Sequence, residues 1–222
     1  MINKMSNIEY ELNERIHAII INPYITWDDL IANCHLIKKY NIRNISTSLN
    51  YLGYLKNAFC NYRANINALI SYPFADLPIT FIEELVCHAK DNGAAGIEFT
   101  PNFINLSKKN LDVFASEIER VKSSELPLTI IINKSKLESE LFINAIEISL
   151  ELGITSFQFG DGFGPSISSL DINEISKLLG KQNSIKIVGG IKKLTQVIDL
   201  FDKGINCVGT SNFYEIFEEV KI

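Results

Sequence analysis

The sequence predicts an α/β protein: a single-domain (β/α)8 barrel, the TIM barrel, spanning residues 1–222. Short apolar runs alternate with amphipathic stretches about 25 to 30 residues apart, the scale of one β-α unit. Eight such runs fit within 222 residues, a length that suits one closed barrel. Several runs are apolar almost throughout, as parallel strands covered on both faces must be. An open dinucleotide-binding sheet would carry GxGxxG after its first strand, but that place reads Ile21-Asn22-Pro23-Tyr24.

Taken in order, Met1 to Arg15 is polar and predicts an extension or short leading helix. The first strand is expected over His17 to Ile21, ended by Asn22-Pro23. Thr26 caps a helix whose first turn holds Asp28 and Asp29, where negative charge suits the helix dipole. Strands are then expected at Ile42 to Thr47 and Ile66 to Ser71, with a helix over Leu52 to Tyr62 between them. Thr80 and Glu83 have the spacing of a capping box. Gly96 to Thr100 and Leu126 to Ile132 read as strands four and five, and Ser156 to Phe159 as strand six. Asp171 is expected to cap the next helix. Strand seven begins at Ser184 and breaks at Gly189-Gly190; strand eight is Ile205 to Val208, followed by a loop, Gly209-Thr210-Ser211-Asn212.

Composition excludes several classes. A net charge of −5 argues against a nucleic-acid partner, which calls for a basic face. Four dispersed cysteines without a CxxC pair and three scattered histidines make neither a disulfide framework nor a metal site. No metal and no cofactor is therefore expected. No run approaches the ~20 apolar residues of a membrane span, and Met1 to Arg15 lacks the apolar core of a signal peptide. The expectation is a cytoplasmic protein without a membrane partner.

The chemistry concentrates at the ends of strands seven and eight. In such barrels the site lies at the carboxyl ends of the strands, and phosphate often binds after the last two. Gly189, Gly190, Gly209, Thr210, Ser211 and Asn212 supply the amides and hydroxyls an anion requires. Lys186 interrupts an apolar strand, and burying an ammonium is costly without a partner. It reads as a Schiff-base nucleophile, a cation tuning a neighbour, or a lysine at the barrel rim. Glu98 points inward if Ile97 and Phe99 face the helices, and then reads as a proton carrier or the partner of the lysine; otherwise it reads as a rim carboxylate in solvent. His17 lies on strand one, facing the mouth. Trp27, Tyr24 and Phe163 read as the floor of a pocket or, more readily, as core or rim packing.

These segments resemble the class I deoxyribose-phosphate aldolase family along nearly the whole chain. Asn22-Pro23 through Thr26-Trp27-Asp28-Asp29-Leu30 is similar to its opening strand and threonine-capped helix. Ser71-Tyr72-Pro73-Phe74 resembles its Gly-Phe-Pro-Leu turn, and Ala94 to Glu98 with Asn102 resembles its strand-four aspartate segment. Gly162-Phe163 is what remains of its Thr-Ser-Thr-Gly-Phe loop. Lys186 with Gly189-Gly190-Ile191, and Gly209-Thr210-Ser211, are similar to its last two motifs.

The resemblance implies metal-free aldol chemistry through a lysine Schiff base, on a small phosphorylated carbonyl compound whose phosphate is held by Gly162 and the two final loops. It implies catalytic positions at Lys186, Glu98, Gln158 and His17, with Ser46 where the family has a cysteine, and a homodimer. At the Schiff-base position this chain has Gln158, and an amide forms no iminium. Either Lys186 takes over as nucleophile from the adjacent strand, or the chain binds a phosphorylated metabolite or a regulatory partner without turnover. A non-covalent enolisation using Glu98 and His17 is the third reading. Lys186 within hydrogen-bond reach of Glu98 would support a working site, and a lysine pointing out of the barrel would count against one.

Overall fold

Strand alternation determines which side chains enter the barrel. In strand β1 (Ile16–Ile20), Ile16, Ala18 and Ile20 are buried against the helices, while His17 and Ile19 take the inward positions. The same period of two runs through β2 (Asn44–Ser48), β3 (Asn65–Ile70), β4 (Gly96–Phe99) and β5 (Leu128–Ile132). It continues through β6 (Ser156–Phe159), β7 (Ser184–Val188) and β8 (Cys207–Thr210). The computed structural model describes residues 10–220. All eight strands pair in parallel and in chain order, and β8 closes on β1.

The helices cover the outer face of this barrel. After a helical stretch at residues 10–15 (α1) come α2 (Trp27–Lys39), α3 (Leu49–Ala58), α4 (Ile79–Asp91) and α5 (Ile104–Ser107). These are followed by α6 (Leu111–Lys122), α7 (Ser139–Glu151), α8 (Ser169–Leu179), α9 (Leu194–Asp202) and α10 (Phe213–Glu219). The apolar core lies between strands and helices: outward residues such as Ile97, Phe99, Phe157 and Ile187 pack against Phe114, Phe142 and Ile175. Inward-facing Leu69, Ile131 and Val188 are buried but stand apart from that layer. The barrel lumen is a separate, largely polar compartment.

Several local expectations are corrected. Thr26 does cap α2, accepting from the Asp29 amide at 3.1 Å. Thr80 makes no capping box, because α4 starts from Pro78, whose fixed φ and extended ψ set the first turn. Glu83 pairs with Arg120 instead. Asp171 is the third residue of α8, and Ser168 is the cap in a reciprocal box. Helix α3 starts three residues before the expected Leu52 and ends before Tyr62, whose hydroxyl bonds the Ile42 carbonyl. Gly209 and Thr210 belong to strand β8, which starts two residues after the expected Ile205. Of the leading segment, residues 10–15 are helical and the first nine lie outside the described residues. No described helix is long and apolar enough to cross a membrane.

Candidate active site

Lys186, midway along β7, faces the lumen because Ile185 and Ile187 are drawn outward into the helix layer. Its side chain is 4 % exposed. The ammonium Nζ lies 2.7 Å from Oε1 of Glu98 on β4 and 2.8 Å from Oγ of Ser46 on β2. Ser46 in turn donates to the same carboxylate oxygen at 2.8 Å, and Asn67 Nδ2 donates to it at 3.1 Å. Four strands thus meet on one oxygen. Glu98 Oε2 is buried without a partner.

This arrangement determines the charge state of Glu98. Burial, the largest single effect, drives the carboxyl pKa upward, but the Lys186 ammonium together with His17 outweighs it and holds the group well below the usual carboxylate range. His17 Nδ1 stands 3.8 Å from Glu98 Oε1, outside hydrogen-bond range, and has no hydrogen-bond partner. Burial, and then the Lys186 cation, lower the imidazole pKa from its ordinary 6.5, so the ring is held toward its neutral form. The cluster is a buried carboxylate and ammonium with a neutral imidazole alongside.

Gln158 sits beside this pair, in register with Lys186 on the neighbouring strand. Its Nε2 donates to the Gly160 carbonyl at 3.1 Å, and its Oε1 is buried and unpartnered. Lysines at 158 and 186 would be lateral neighbours here. Ser46 and Asn67 complete the cluster. Asn67 escaped the sequence reading, although the alternation Asn65-Ile66-Asn67-Ala68-Leu69 signals a polar inward face.

All seven residues expected to hold phosphate line a single cavity of about 230 Å³: Gly162, Gly189, Gly190, Gly209, Thr210, Ser211 and Asn212. Their roles differ from expectation. The Thr210 hydroxyl donates to the Ile191 carbonyl at 2.7 Å and accepts from the Asn212 amide at 3.0 Å, tying the last two loops together. The Asn212 side chain donates to Glu215 at 3.2 Å. Gly209 faces the lumen. The backbone N–H groups of Gly189, Gly190 and Ser211 make no hydrogen bond within the described residues and remain as donors for a ligand. Gly190 has φ +70, and a Cβ there would fall 2.0 Å from Ser166 Oγ, so only glycine allows the β6–α8 loop to pack on it.

Ile19, Val188 and Gly209, the inward residues one layer above His17, Lys186 and Cys207, line this cavity. Lys186 and Glu98 therefore lie just beneath the floor formed by Ile19 and Val188. A tyrosine and a carboxylate brace the mouth. The Tyr72 hydroxyl donates to the Asp161 carbonyl, and the Asp161 carboxylate pairs with Lys136 at 2.7 Å and accepts from the Phe163 amide at 2.9 Å.

No family model matches the chain. A deoxyribose-phosphate aldolase of Mycoplasma capricolum is 24 % identical over 212 residues, covering 94 % of this chain and 96 % of the relative. One from Dictyoglomus turgidum is 26 % identical over 206 residues, covering 91 % and 94 %.

The chain is a relative of the deoxyribose-phosphate aldolases.

Solved structures bearing that description share its fold. A putative deoxyribose-phosphate aldolase from Coccidioides immitis superposes with a TM-score of 0.90 at 18 % identity, covering 96 % of this chain and 86 % of the other. A deoxyribose phosphate aldolase from Aeropyrum pernix, described as a unique tetrameric structure, gives 0.84 at 15 % identity and 97 % of each chain. Among the described residues no cluster of histidine, cysteine, aspartate and glutamate has the makings of a metal centre.

Proposed function

We propose that the chain is an aldolase-type lyase, a divergent deoxyribose-phosphate aldolase relative, acting on a small phosphorylated sugar or aldehyde. The observation that carries this reading is the buried Lys186–Glu98 pair at 2.7 Å, directly below a cavity lined by free backbone amides. Phosphate would rest on the Gly189, Gly190 and Ser211 amides, with the exposed cation of Lys192 at the rim.

Lys186 is the nucleophile of this reading. As the amine attacks, Glu98 and Ser46 are placed to relay a proton from the ammonium to the substrate carbonyl oxygen. The freed amine attacks the substrate carbonyl carbon, and loss of the carbonyl oxygen as water leaves an iminium. Glu98, ionised again, takes the proton of the hydroxyl two carbons away. The carbon–carbon bond breaks, the hydroxyl-bearing carbon becomes a carbonyl, and the electron pair moves into the iminium as an enamine. Glu98 is left with the proton that the enamine carbon takes next. The enamine carbon is then protonated, and water releases the second fragment and restores the lysine. Phosphate seated in the cavity orients the carbonyl toward the floor.

Borohydride reduction with 2-deoxyribose 5-phosphate and a panel of short aldehydes, followed by peptide mass mapping, tests this reading. An adduct on Lys186 supports it. Absence of any adduct there overturns the covalent chemistry.

One observation favours a second reading, binding of a phosphorylated metabolite without turnover. Lys186 already donates to Glu98 and Ser46, and its neighbour in register is an amide. Thermal stabilisation by sugar phosphates without retro-aldol product would select it. We further propose a cytoplasmic homodimer, which light scattering on the eluted protein checks.

A further inference from the structure

The small cavity opens into a much larger space. Ile19, Ile21, Tyr72, Phe163 and Ser211 line both the 230 Å³ cavity and a cleft of about 910 Å³ over the β1–α2 and β3–α4 loops. The two cavities adjoin at the barrel mouth. The smaller part suits an anion and a few carbons; the larger lies within the range that receives drug-sized ligands.

The cleft has a different chemistry from the seat. Its walls carry Tyr24, Phe74, Leu69 and Leu36, and no lysine, arginine or histidine. Asp29 supplies the lone carboxylate, and it is already bonded to the Thr26 hydroxyl at 2.6 Å. Tyr24 is 89 % exposed and Phe74 78 %, despite the cost of presenting large aromatic surfaces to water. The sequence offers Tyr24 and Phe163 as pocket floor or as core and rim packing, and both line this cleft. A short sugar phosphate leaves it empty, and a second anion finds no cation there.

Resting on the reading of the small cavity as a phosphate seat, we infer that the ligand carries an aromatic or extended apolar group. Its phosphate end lies on the β7 and β8 loops. Its neutral end lies across the mouth against Tyr24, Tyr72 and Phe74. The reacting carbon spans the floor between them, over Lys186 and Glu98. Substrate choice in this chain is then set by the apolar group, through burial of aromatic surface.

Calorimetric titration of the full chain with inorganic phosphate, propyl phosphate and 3-phenylpropyl phosphate tests this. The phenyl compound is expected to bind at least about tenfold tighter than the propyl compound, the effect of burying most of one ring. In the Tyr24→Ala/Phe74→Ala variant, whose altered side chains are exposed and outside the small cavity, that advantage should shrink to about threefold or less while propyl phosphate binding holds. Equal affinity for the two esters in the unaltered protein overturns the inference and leaves the phosphate seat standing. Binding of none of the three overturns both. A gain that survives the double substitution overturns the assignment of the cleft. If the substitution leaves ligand affinities alone but turns a dimer into a monomer, the cleft is a self-association face and the inference fails.

Discussion

Gly209 leaves open the space that the stem of Lys186 occupies. A Cβ at Gly209 would lie 2.9 Å from Lys186 Cε, 2.9 Å from Ile19 Cδ1 and 2.7 Å from Val188 Cγ2. The glycine of strand eight therefore builds the site in a way different from the loop ligand the sequence suggested. It gives the lysine room to cross the lumen to Glu98, and at the same time it lines the cavity above.

Gly209→Ala tests that role. The added methyl overpacks three side chains at once, and the expected loss is about 1–3 kcal/mol of stability in urea unfolding. The same variant should lose most of any Lys186 adduct. Unchanged stability together with full trapping would show that the space is not needed.

Removing one partner of the buried pair should be far more damaging than removing both. Glu98→Gln strands the Lys186 ammonium in the lumen, and about 3–5 kcal/mol of stability is expected to go. Glu98→Gln combined with Lys186→Met should recover a large part of that loss. A double-mutant cycle by urea unfolding reads it. If the double variant is as unstable as the single one, the two groups are not coupled.

Acid should weaken the fold in two stages of the same sign. The His17 pKa is lowered in the folded chain from its ordinary 6.5, so the unfolded chain binds the extra proton first. Stability is then full above about pH 6.5 and falls as pH drops below it. Glu98 is held below its ordinary 4.5, so its contribution is complete above that pH and is lost progressively on further acidification. His17→Gln should flatten the upper stage and leave the lower one, as followed by thermal unfolding from pH 8 to pH 2. An unchanged slope between pH 6.5 and 5 would contradict the assignment.

Gly190→Ala should loosen the anion cavity. The residue holds φ +70, and a methyl group would strike Ser166 Oγ. A cost of about 1–2 kcal/mol follows from the left-handed backbone alone. Because the β6–α8 loop must shift, inorganic phosphate affinity measured by calorimetry should fall as well. Retained affinity would remove the Gly190 amide from the seat.

Gln158→Lys places a second lysine beside Lys186, in register on the adjacent strand. Two ammonium groups at that separation repel, which favours one of them as the free amine. The expected outcome is a borohydride adduct at position 158 and retro-aldol turnover of 2-deoxyribose 5-phosphate above that of the unaltered chain. No gain in either would mean that the lumen around Gln158 does not admit the substrate carbonyl.

Much of this molecule can be read along the chain, and the reason is periodicity. Apolar positions recurring every two and every 3.6 residues separate strands from helices, and their repetition eight times within one chain length implies a closed barrel. The same alternation turns Lys186 and Glu98 inward, because Ile185, Ile187, Ile97 and Phe99 must face the helices. The glycines after strand seven, with Ser211 and Asn212 after strand eight, are legible as loops of one cavity because chain position places both at one end of the barrel.

Helix boundaries were less legible. Thr80-Glu83 had a capping spacing that Pro78 overrode, and Glu83 found Arg120, a residue 37 positions away. Which of several hydroxyls stays free also lies beyond local pattern. Thr210 looked like a ligand, but its hydroxyl bonds Ile191 across the two loops.

Sequence by itself determined the fold class, the inward set of polar side chains and the end of the barrel where they gather. Only the tertiary structure decided that Lys186, Ser46 and Asn67 converge on one oxygen of Glu98, that Gly209 makes room for the lysine, and that the small cavity adjoins an aromatic cleft. The physical reason is distance along the chain. Ser46 and Lys186 are 140 residues apart, and only closing the barrel brings them to 2.8 Å. Alternation says which way a side chain faces; the curvature and stagger of the closed sheet decide what it meets.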